Sequence, residues 1–109
     1  MRAHRHNITF PVFSEYKVTV IFTADIPKAC AKLGMTATPD EAAVTITEEG
    51  TKRAYAVFAM RPDADTVAHE SYHVISAMLK WAGATPDEET VAYHLGYLVK
   101  HITEWSKQQ

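Results

Sequence analysis

Apolar positions along this chain recur with two periods. The first 60 residues carry short β-prone runs; from residue 66 onward the spacing becomes helical. Residues 8–13 are β-prone, but Pro11 confines them to an edge strand or an extended arm. Residues 16–22, rich in Val, Ile and aromatics, predict a firmer strand. Asp25 then reads as an N-cap with Pro27 in the first turn, giving a helix over 26–33 that Gly34 stops. A polar connection through Pro39 leads to strands at 43–47 and 53–60. Gly50 supplies the positive φ of the turn between them, so the pair predicts a hairpin. Arg61, Pro62 and Asp63 break that strand. A helix follows over 66–82, capped by Asp63 or Asp65 and ended by Gly83. Thr85, Pro86 and Glu88 form a capping-box pattern for a last helix reaching about Trp105. The expected fold is α+β: a small, mostly antiparallel sheet of about three strands with three helices on one side.

The two long helices are amphipathic. At 100° per residue, Val67, Val74, Ile75, Met78, Leu79 and Ala82 share one arc of the first, while His69, His73, Ser76 and Lys80 share the opposite one. In the second, Val91, Leu95, Leu98, Val99, Ile102 and Trp105 form the apolar arc. Glu89, Tyr93, Gly96 and Lys100 lie on the other side. Gly96, with Ala92, either lets another backbone approach there or reflects simple packing.

Within the first long helix stands His69-Glu70-Ser71-Tyr72-His73, of the form His-Glu-x-x-His. Residues four apart are one turn apart on the same face, so His69 and His73 can offer two imidazoles to one metal ion. Glu70, turned about 100° from His69, flanks the ion and suits a general base. The pair lies outside the main apolar stripe, which favours a surface or cleft role over a buried structural one.

Composition narrows the classes. The 109 residues, 47% hydrophobic and 22% charged, make one small globular domain spanning 1–109. A net charge of −2 supplies no global field for nucleic acid, and none is expected as a partner. The basic start from Arg2 to His6 reads as a solvated tail. Cys30 is the only cysteine, so no intramolecular disulfide is possible, and it reads as a small buried hydrophobe. With no long apolar run and no secretory h-region, neither a membrane partner nor export is expected, and the expected location is cytoplasmic.

A catalytic zinc needs three protein ligands and an open position. Glu88, Glu89, His94 and His101 are the downstream candidates. Glu88 already has a capping task. Glu89 begins a helix joined to the motif helix by a short connection, and a modest crossing angle would let it reach the pair. His94 is the alternative; about 140° separates it from Glu89 on the helix, so one geometry excludes the other.

The segment from Thr66 to His73, followed by Glu89-Thr90-Val91-Ala92-Tyr93-His94-Leu95-Gly96, resembles a group of small phage and prophage proteins. These pair a His-Glu-x-x-His helix with a Glu-x-x-Ala-Tyr helix, similar in pattern to minimal gluzincin-type zinc metallopeptidases. The resemblance covers about residues 52–102. It implies Zn²⁺ held by His69, His73 and Glu89. Glu70 becomes the general acid/base, and Tyr93 an oxyanion-stabilising or supporting group. The expected activity is peptide hydrolysis, cytoplasmic and in a host cell if phage-encoded. The expected substrate is an extended peptide or protein segment along the outer edge of strand 53–60. The rival reading is a metal-binding interaction or regulatory module without turnover; a metal-free adaptor is the third.

Overall fold

A computed structural model describes residues 3–38 and 40–109. Arg2 of the basic start and Pro39 of the polar connection lie outside the described residues. The elements are β1 (Ala3–Thr9), β2 (Lys17–Thr23), α1 (Ile26–Lys32), β3 (Ala43–Thr47), β4 (Arg53–Ala59), α2 (Ala64–Ala82) and α3 (Glu88–Ser106).

The sheet has four strands in the order β1-β2-β4-β3, not about three. β1 pairs antiparallel with β2, and β3 with β4, while the central β2 and β4 run parallel. The additional strand comes from the basic start. Residues 3–6, expected as a tail, begin β1, whereas 10–13 carry no strand. Alternation explains this: His6 and Ile8 face inward, His6 stacking on Trp105 with ring centroids 4.6 Å apart, while Arg5, Asn7 and Thr9 face solvent.

The helices occupy both faces, correcting the one-sided expectation. Val18, Val20, Phe22, Ala54, Ala56 and Phe58 turn one face of β2 and β4 into the main core with Val74, Ile75, Met78, Leu98 and Ile102 of α2 and α3. The alternate residues Ile21 and Val57 form a second cluster with Ile26 and Cys30 of α1 on the opposite face. A parallel central pair is apolar on both faces when helices cover both. Cys30 is fully buried, and that burial, with Glu41 nearby, pushes its thiol pKa up.

Local signals act largely as expected at α1, where Asp25 accepts from the Lys28 N–H at 3.0 Å. Gly50 at φ 84° makes the hairpin turn, and Gly83 at φ 67° ends α2 in the left-handed conformation. The cap of α3 differs. Asp87, not Thr85, is the N-cap; it accepts from the Thr90 N–H at 2.9 Å and the Thr90 hydroxyl at 2.8 Å. Glu88 therefore has no capping task. An aspartate two residues later offers a charged acceptor to the N–H groups of a helix that starts at Glu88, where the helix dipole also favours it.

Gly96 sits on the exposed side of α3, and a Cβ built there meets nothing within 4 Å. No backbone approaches it. Gly96→Ala is therefore expected to raise stability by about 1 kcal/mol through helix propensity alone. Urea denaturation would register this as a higher midpoint at unchanged slope; a lower midpoint would mean the position has a partner.

Candidate metal centre

α2 lays its apolar face on the sheet between two flanks. On one flank Glu70 and His73, with Ser76 and Ala77, meet β3 across a groove of about 490 Å³. On the other, Tyr72, Ile75 and Leu79 share a second groove with Val91 of α3. His69 and His73 are both exposed, His73 at the edge of the groove with β3.

The two imidazoles converge. Their Nε2 atoms stand 3.2 Å apart, with ring centroids 4.8 Å apart and planes at 75°. Two nitrogens each about 2.05 Å from a tetrahedral zinc would be about 3.3 Å apart. The spacing thus suits two corners of one coordination sphere.

Glu70 is fixed beside them. Its side chain is only 12% exposed, against 68% for His69. Oε1 accepts from the Thr45 hydroxyl of β3 at 2.6 Å, and Oε2 lies 3.7 Å from His69 Nε2. The same hydroxyl lies 3.3 Å from the Glu70 backbone carbonyl. One carboxylate oxygen of Glu70 is thus tethered to β3 while the other is turned toward His69. Thr45 is a partner of Glu70 that the sequence did not reveal: it is 25 residues away, and only the packing of α2 on the sheet brings them together.

The structure does not bring Glu89 to the pair. Among the described residues, no group of three His, Cys, Asp or Glu is placed to hold a metal ion. The reason is the helix hairpin. The Arg61 guanidinium donates to the backbone oxygen of Gln109 at 2.9 Å, so the far end of α3 returns to the start of α2. The first turn of α3 consequently lies near the end of α2. His73 stands nine residues before that end, about 13 Å along the axis. Glu89 is exposed there, and Tyr93, one turn on, is 56% exposed with its ring against His94.

His94, the alternative ligand, faces the core instead. It is 3% exposed, packed against Phe10 and Phe13, and its Nδ1 donates to the Thr90 carbonyl at 2.8 Å. His101 sits in an aromatic row, edge-on to Tyr97 and tilted against Trp105. The converging groups are therefore two imidazoles with a flanking carboxylate. A third protein corner is not assembled among the described residues.

The strand expected to receive a peptide is also not an edge. β4 is paired on both sides, by β2 and β3. The free edge next to Glu70 belongs to β3. Strand order is not encoded in the alternation of a single strand, so sequence pattern could not distinguish the two.

No helix among the described residues is long and apolar enough to cross a membrane. Comparison with family models, curated proteins and solved structures finds no match to this chain.

Proposed function

We propose that this chain is a zinc-binding protein of the His-Glu-x-x-His kind, with metallopeptidase-like hydrolysis of peptides as its activity. The observation that carries this reading is the 3.2 Å convergence of His69 and His73 on an exposed helix face beside a tethered Glu70. His69 and His73 would hold the ion, which when bound would supply Lewis acidity. Glu70 takes a proton from the attacking water through its free oxygen as the water oxygen bonds to the peptide carbonyl carbon, and returns that proton to the amine nitrogen as the C–N bond breaks. Thr45 keeps that carboxylate oriented. The unpaired edge of β3 offers backbone groups to an extended peptide lying in the adjoining groove. The resemblance to small phage and prophage proteins, and to gluzincin-type enzymes, adds Glu89 as third ligand and Tyr93 as a supporting group. In this reading the first turn of α3 must move to deliver them.

The position of Glu89 favours a second reading, a metal-binding interaction module without turnover. Two histidines and an external donor suffice for that role. Zinc analysis of protein purified without a histidine tag tests what both readings share. About one zinc per chain is expected, falling below about a tenth in His73→Ala. Zinc near zero after reconstitution would overturn both.

A further inference from the structure

The sheet face opposite α2 and α3 is covered only in part. α1 shields Ile21 and Val57. Beyond it lies an open groove of about 530 Å³, lined by Arg5, Asn7, Thr9, Lys17, Arg53 and Tyr55 among others, with no acidic residue in its lining. Three strands contribute its cations. Arg5 belongs to β1, Lys17 to β2 and Arg53 to β4, and all three are exposed. None of the three has a salt-bridge partner among the described residues.

Register sets their spacing. Lys17 is paired with Arg53, while Arg5 is paired with Ile21, four residues along β2. At about 4.8 Å between strands and 3.3 Å per residue, the two arginines are about 16 Å apart. Past Arg5 the cationic surface continues into a second cavity of about 260 Å³ that includes Lys28 and Lys32. The one acid there, Asp25, is engaged in capping α1. Lys17, Arg53 and Tyr55 also line the adjoining cavity, which holds Glu15 and Glu48; Glu15 there is paired with Lys52 at 3.6 Å. A chain of net charge −2 thus presents a locally cationic face.

We propose that this open half of the sheet binds single-stranded nucleic acid through its phosphates. Guanidinium groups present donors in a fork that matches phosphate. The face also offers neutral hydrogen-bonding groups and the partly exposed Tyr55 ring, on which a base can stack. Arg53 Cζ lies over that ring, 6.0 Å from its centre, and the guanidinium donates to the Tyr55 hydroxyl at 3.2 Å, so a base stacks on Tyr55 as Arg53 swings out to a phosphate. An acidic peptide is less well served. Extended peptides gain most of their binding from unpaired strand edges, and β2 and β4, which form the centre of this face, are paired on both sides. A sugar-phosphate strand needs no such edge. This proposal is independent of the zinc reading.

Fluorescence anisotropy with a labelled oligothymidylate of about 12 nucleotides, at about 25–200 mM salt, tests it on the full chain. Saturable binding is expected, with log K falling against log salt at a slope of about −2 for three phosphates. The double variant Lys17→Glu, Arg53→Glu should bind at least about tenfold more weakly while its circular dichroism stays unchanged. Lys100→Glu, on exposed α3, should bind as the parent does. If the double variant fails to fold, Arg5→Ala replaces it, with a several-fold loss expected. No binding at the lowest salt, equal weakening by Lys100→Glu, or equal binding of a glutamate-rich peptide of the same length would each overturn the proposal.

Discussion

Glu70→Gln is expected to leave zinc content near that of the parent and to cut peptide hydrolysis by roughly 10²–10⁴-fold, the usual worth of a positioned general base. The amide is nearly isosteric and keeps an oxygen that can accept from Thr45, whose hydroxyl now lies 2.6 Å from Oε1. What it loses is the ability to take up a proton at Oε2, 3.7 Å from His69 Nε2. Thr45→Val should show a smaller loss of rate at unchanged zinc content, because it frees the carboxylate to turn without removing it. Rates would be read on an unstructured protein substrate alongside metal analysis of the same samples. Zinc-loaded parent protein that cleaves no faster than Glu70→Gln would exclude the peptidase reading and leave the non-catalytic module. Loss of zinc in Glu70→Gln would mean that the carboxylate serves as a ligand.

Phe58→Ala should have the largest effect on stability, a loss of about 3–5 kcal/mol. Phe58 is fully buried near the end of β4, in the cluster that joins sheet to helices, with Phe22 stacked 5.9 Å away. Both neighbouring strands are paired to β4, so the backbone cannot collapse to fill the void. For a domain of this size, total stability is about 5–15 kcal/mol, so the variant would retain little margin. Thermal unfolding should fall by roughly 15–30 °C. A drop of only a few degrees would show that the core can repack around the missing ring.

Most local structure was legible along the chain. β2, α1, the β3–β4 hairpin and both long helices occur within a few residues of where alternation, helical spacing, Asp25, Gly50 and Gly83 indicate them. The convergence of His69 and His73 was equally local, because one helical turn fixes it. The misjudged cap of α3 shows the limit of even local signals. Thr85 and Asp87 both supply an acceptable oxygen, and the helix starts after the charged one.

What the sequence by itself determined about this protein is whatever depends on neighbours within about a turn: element type and the outward histidine pair. Tertiary structure decided the rest. It drew the basic start into a fourth strand, ran β2 and β4 parallel, placed β3 rather than β4 at the edge, and joined Thr45 to Glu70. It also turned His94 inward, left Glu89 apart from the pair, and gathered Arg5, Lys17 and Arg53 from three strands onto one face. The physical reason is the same throughout. Periodicity states which side of an element is apolar, but which elements lie side by side is set by packing the whole core, and those adjacencies create every contact between distant residues.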